Sequence, residues 1–274
     1  MATEQDNLAP TLEKESNGAG VNSSNVHRHH RDDYSQMSIT QADGGTFNPI
    51  VLRPYEPRRL ANPAPLGLCA FALTTFVLSA INMHARGVAE PNIVVPLAFG
   101  YGGLIQLLAG MWEMVCGNTF GATAFSSYGG FWISYGILLT PNWGITAPSG
   151  PYAGHVASPL GFFLTGWFIF TTLLLLCTLK SSVMFFLLFL VLDLAFLFLA
   201  TEQFANDLGN ATAALALQKT GGLFGFLAAF LAWYNALAGL QDSSNSFFQV
   251  PVFHFPWSDK GRERRGLKSE RGQA

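Results

Sequence analysis

The chain has 274 residues, half of them hydrophobic and only 12% charged, with a formal net charge of −2. Within Leu66–Leu240 the only Lys, Arg, Asp and Glu are Arg86, Glu90, Glu113, Lys180, Asp193, Glu202, Asp207 and Lys219. So few charges over that length exclude a soluble globular domain and point to an all-α integral membrane protein.

Residues 1–60 are expected to form a disordered cytoplasmic N-terminal tail. They carry six basic and eight acidic residues and few large apolar ones, too little to bury on folding. His27, Arg28, His29, His30 and Arg31 are read as solvated tail residues and not as a metal site. Asn22-Ser23-Ser24 matches a glycosylation acceptor only if the tail lies outside. The segment has no apolar core of a secretory signal, so the first membrane helix is expected to act as the targeting element.

The chain reaches the membrane at Asn62-Pro63-Ala64-Pro65-Leu66-Gly67-Leu68. Pro fixes φ and pushes the residue before it out of the α region. Two readings follow. The entry is broken backbone bordering a cavity, or Pro65 sits in the first turn of a helix, where its missing N–H costs nothing.

Six apolar segments approach the roughly 20 residues that span a bilayer. They are placed at Leu66–Met83, Ile93–Val115, Phe120–Leu139, Leu160–Leu179, Val183–Ala200 and Gly221–Leu240, and residues 61–240 form the transport domain. Short links make helices one and two, two and three, and four and five antiparallel neighbours. The link Thr140–Pro159 holds four prolines and three glycines. The Ala-rich end of the link Thr201–Thr220 leaves room for helix six to begin earlier. Arg53, Arg58, Arg59, Lys180, Lys260, Arg262, Arg264, Arg265 and Lys268 fall on one side, against Arg86 and Lys219 on the other, which puts both tails in the cytoplasm. Residues 241–274 form the C-terminal tail. Its Phe247, Phe248, Phe253, Phe255 and Trp257 suit either the headgroup layer or a plain disordered tail.

In helix one Phe71, Thr75, Leu78 and Asn82 share a face. That stripe suits a narrow path for a small amphiphile, or interhelical packing with Thr75 bonded back to its own helix. In helix two Gly103, Gln106, Gly110 and Glu113 share a face that either packs on another helix or lines a pathway. Ionisable groups at membrane depth usually face a cavity or a partner. Glu113 lies near the cytoplasmic end of helix two and Asp193 lies mid-span, while Glu202 is expected to be solvated at the outer end of helix five. His84 and His155 are read as surface loop residues. Cys69, Cys116 and Cys177 are spaced as small hydrophobes. There is no nucleotide-binding loop, no metal-ligand spacing and no nucleophile with a base. The chain is therefore expected to be a transporter or channel and not an enzyme, with no cofactor and no metal. The basic residues cluster only in the short C-terminal tail, which gives no face for nucleic acid.

Asn62–Leu68 resembles the signature of the acetate uptake transporter family, the succinate–acetate permeases of bacteria and fungi. Further stretches resemble its fungal acetate permease branch: Ala70–Phe76, Tyr101–Gly103 leading to Gln106, Gly110 and Trp112-Glu113, Asn118–Gly121, Ser127–Trp132, Thr178–Phe186 and Ala232–Ala236. The resemblance implies six transmembrane helices around a pore in each subunit and assembly as a hexamer. It implies uptake of acetate and related short monocarboxylates across the plasma membrane, coupled to protons. It places a hydrophobic constriction at Phe71, Tyr128 and Leu192, and implicates Asn62, Pro63, Ala64, Pro65, Leu66, Gly67 and Leu68 in substrate passage. Thr75, Gln106 and Glu113 complete the expected pore. The Tyr128 hydroxyl and the backbone N–H groups near Asn62–Gly67 are the expected carboxylate donors. Asp193 stands where the resemblance implies an apolar residue. About 100° of helix rotation separates it from Leu192, so it faces a neighbouring subunit or the pore. The alternative function is a passive channel for a neutral solute such as ammonia or undissociated acid.

Overall fold

The computed structural model describes residues 60–147 and 149–271. The tail at residues 1–59, with its His27–Arg31 cluster, its Asn22 acceptor and its arginines Arg53, Arg58 and Arg59, lies outside the described residues. Six long helices form the body: α1 (Ala64–Asn82), α2 (Pro91–Val115), α3 (Thr119–Leu139), α4 (Ala157–Cys177), α5 (Val183–Asp207) and α6 (Ala211–Leu240). A shorter polar helix, α7, covers Asp259–Arg271.

Five of the six are long and apolar enough to cross a membrane. The exception is α3, whose 21 residues reach about 31 Å but carry Ser126, Ser127, Gly129, Gly130 and Ser134 in mid-helix. The expected boundaries shift outward for α5, which runs on to Asp207, and for α6, which starts at Ala211. Both starts are capped by a side chain. The Ser182 hydroxyl accepts the Phe185 N–H, and Asn210 Oδ1 accepts the Ala213 N–H.

Every helix except α3 packs closely on the next in sequence, and α6 returns to α1, so the six form a ring. The α3–α4 seam is made by side chains. Phe131 packs on Trp167 and Phe163, with ring centroids 5.2 and 5.9 Å apart. Glycines set the closest approaches. A Cβ on Gly110 would lie 2.4 Å from Ser126 Oγ, and one on Gly129 would lie 2.8 Å from Leu107. The polar face of α2 therefore packs on α3. Within α2 a π-helical turn at Gly100–Ile105 widens the backbone, the kind of local bulge that often marks a functional site.

The signature is helical from Ala64 on. Asn62 Oδ1 accepts the Ala64 N–H at 3.1 Å, Pro65 sits in the first turn, and the Gly67 N–H reaches the Pro63 carbonyl at 3.2 Å. The first-turn reading of Pro65 holds and the broken-entry reading does not. The C-terminal segment is packed back on the ring. The Val183 N–H donates to the Phe253 carbonyl at 2.8 Å, and Trp257 Nε1 donates to the Leu179 carbonyl at 2.8 Å. Phe186 packs on Phe255, with ring centroids 5.6 Å apart.

Candidate functional site

Two cavities lie along the inside of the ring. The larger, about 270 Å³, is lined by the α1 stripe Phe71, Thr75, Leu78 and Asn82 together with residues of the other helices, and its far end holds Glu202, Gln203 and Gln218. The smaller, about 30 Å³, is lined by Leu68, Gln106, Phe125, Leu188 and neighbouring side chains. Only Phe71, Tyr128 and Leu192 line both.

These three side chains come from α1, α3 and α5, and each is buried, at 6%, 3% and 5% exposure. The Phe71 and Tyr128 ring centroids are 6.0 Å apart, and Tyr128 stacks on Phe196 at 6.5 Å. Three apolar side chains from three helices thus lie where the linings of the two cavities overlap.

Polar groups flank these three residues. The Tyr128 hydroxyl lies 2.9 Å from Thr171 Oγ1, which donates its one O–H to the Trp167 carbonyl at 2.7 Å. Tyr128 must therefore be the donor to Thr171. That O–H is engaged, which corrects the expectation that it is free for a carboxylate. Three other donors are not engaged. Thr75 Oγ1, Trp132 Nε1 and both amide atoms of Gln106 are buried without a protein partner. Thr75 and Trp132 border the larger cavity, and Gln106 borders the smaller. A buried polar group left unpaired costs about 1–3 kcal/mol, so four such atoms around these two cavities are a strong chemical signal. Thr74, not Thr75, bonds back to its helix, at 2.9 Å from the Ala70 carbonyl.

Other expected residues fall elsewhere. Leu68 reaches the smaller cavity, but Asn62, Pro63, Ala64, Pro65, Leu66 and Gly67 line neither. Gly67 is a contact point, since a Cβ there would lie 2.9 Å from the Phe125 ring. Glu113 also lines neither cavity. It is buried at the α2–α3 turn, where Asn118 Nδ2 donates to its Oε2 at 2.7 Å. Asp193 lines neither cavity. It is buried against α4, accepting from Thr172 Oγ1 at 2.9 Å.

Glu202 departs most from expectation. It is buried at 8% exposure and borders the larger cavity, with Gln203 Nε2 donating to its Oε2. A helix that runs about two turns past Ala200, and a cavity that reaches that far, account for the difference. His84 is not merely a surface residue either: its Nε2 lies 3.2 Å from Gln218 Oε1, at the same end.

Residues 43–257 match the family described as the GPR1/FUN34/yaaH family. The chain belongs to that family. Among its relatives, Acetate permease A of Emericella nidulans is 61% identical over 242 residues, covering 86% of this chain and 80% of that protein. Ammonia transport outward protein 2 of Saccharomyces cerevisiae is 45% identical over 230 residues, covering 84% and 79%. A solved structure, described as that of the bacterial acetate channel SatP, superposes with a TM-score of 0.60 at 34% identity. It covers 71% of this chain and 99% of that one. The family match takes in all six helices of the ring and both cavities.

Proposed function

We propose that this protein takes up acetate and related short-chain monocarboxylates across the plasma membrane, coupled to protons. The path runs inside each six-helix ring, all six helices span the bilayer, and both tails are cytoplasmic. The observation that carries the reading is the pair of cavities whose only common lining is Phe71, Tyr128 and Leu192. The 61% identity to a protein named for acetate permeation supports the substrate.

The substrate enters the larger cavity, where Thr75 and Trp132 offer O–H and N–H donors to its oxygens. Its methyl group enters the apolar pinch, and on the other side the Gln106 amide receives the carboxyl. Carrying an ionised carboxylate through an apolar pinch costs several kcal/mol of lost hydration. Protonating a carboxylate of ordinary affinity costs only about 1–4 kcal/mol between pH 5 and pH 7. The acid therefore crosses neutral and a proton travels with it. The subunits assemble as a homo-oligomer, a hexamer by resemblance. Exposed apolar side chains along α2, including Leu104, Leu108, Met111 and Trp112, supply a surface for neighbours or lipid.

The test is uptake of acetate, propionate, lactate and succinate by proteoliposomes under an imposed pH gradient. Accumulation of acetate against its gradient, abolished by a protonophore, is expected. A second reading is passive passage of a small neutral solute such as ammonia. It is favoured by the name of the relative at 45% identity and by the same apolar pinch. Equilibration without accumulation would select it.

A further inference from the structure

We propose that Glu202 is the proton-donating group of the pathway: it protonates the incoming carboxylate in the larger cavity before the acid meets the pinch. This rests on the transport reading above and adds the residue that loads the proton.

Glu202 is the only Asp, Glu, Lys, Arg or His among the residues lining the larger cavity, and it is buried there. The Gln203 amide donates to Oε2, and no protein donor reaches Oε1 among the described residues. The rest of that end is polar but not ionic. Asn82 of α1, Gln203 of α5 and Gln218 of α6 line the wall, with the phenols of Tyr135 and Tyr128 from α3. Beyond the wall, His84 of the α1–α2 link bonds Gln218. Arg86, Glu90, Asp207 and Lys219 stand exposed at that end of the helices. An ionised Glu202 would repel an entering carboxylate. A protonated Glu202 attracts it as a donor.

The exchange runs between two carboxyls and leaves the number of charges unchanged. The Glu202 O–H breaks as the O–H of the substrate acid forms, and Glu202 is left as a carboxylate. The neutral acid proceeds past Phe71, Tyr128 and Leu192. Glu202 regains its proton from hydronium at the open end of the cavity, and no electrons change hands.

The test compares wild type, Glu202→Gln and Glu202→Asp in proteoliposomes, measuring initial acetate uptake against external pH from 5 to 8. Wild type should show uptake rising at least tenfold toward acid pH. Glu202→Gln should remain folded and take up only acid already protonated in bulk water, so its uptake should fall at least tenfold below wild type at pH 7–8 and approach wild type toward pH 5. Glu202→Asp should restore the wild-type profile. If Glu202→Gln keeps the wild-type pH profile, the assignment is overturned. A loss of uptake in Glu202→Gln that is uniform across pH, with no change in profile, also overturns it. Failure of wild type to transport acetate at all would instead remove the transport reading on which the assignment rests.

Discussion

The Tyr128 hydroxyl, engaged with Thr171, and the Gln106 amide, engaged with nothing in the protein, should respond oppositely to mutation. Tyr128→Phe keeps the ring between the two cavities and loses one buried hydrogen bond. It should lower stability by about 1 kcal/mol and leave acetate uptake within about twofold of wild type. Gln106→Leu removes two buried unpaired polar atoms, so the thermal midpoint in detergent should hold or rise, while uptake falls at least tenfold. A thermal midpoint and an initial rate on each variant check both outcomes. Sequence made the α1 stripe visible, because Phe71, Thr75, Leu78 and Asn82 recur at helical spacing. Trp132 and Glu202 were not visible as cavity-lining groups. A Trp in an aromatic-rich helix reads as packing, and the place of Glu202 depends on how far α5 and the cavity extend.

At the scale of elements, the contact between α2 and α3 is set by absent side chains. A Cβ on Gly110 would fall 2.4 Å from Ser126 Oγ and 2.5 Å from the Ser126 backbone nitrogen. The backbone cannot yield as a flexible side chain can. Gly110→Val should therefore destabilise by more than the usual 1–3 kcal/mol of overpacking, seen as loss of monodisperse protein in gel filtration. The small-residue face of α2 was legible from spacing alone, but which helix it met was not, because periodicity names a face and not its partner.

The docked C-terminal segment adds a pH effect. Burial, then the nearby Lys260 and Arg264 charges, hold the His254 imidazole below its ordinary range. The undocked segment thus binds the proton more readily, and docking strengthens as pH rises. Docking should be complete above the ordinary imidazole range and weaken as pH falls through it. Hydrogen exchange at the Val183 amide, which donates to Phe253, should accelerate at pH 5 relative to pH 8 after correction for intrinsic rates. The five Phe and Trp residues of this segment gave no periodic pattern, and its docking depends on long-range partners at Leu179 and Phe186.

For the whole molecule, composition and hydropathy made the helical membrane class plain, and the spacing of breaks located all six helices to within a turn or two, except at the start of α6. The order of helices around the ring follows from short links together with the return of α6 onto α1. The division of the interior into two cavities is a property of three-dimensional packing. The expectation of a constriction came only through resemblance, since nothing about Phe71, Tyr128 or Leu192 in isolation distinguishes them from the many other aromatic and aliphatic residues in these helices. The measurement that tests the divided pathway most directly is acetate uptake by proteoliposomes carrying wild type or Phe71→Ala, with propionate, lactate and longer acids as competitors. A pinch at Phe71, Tyr128 and Leu192 predicts that Phe71→Ala still takes up acetate while longer acids, weak competitors of wild type, compete strongly. Uptake and competition unchanged from wild type would contradict it.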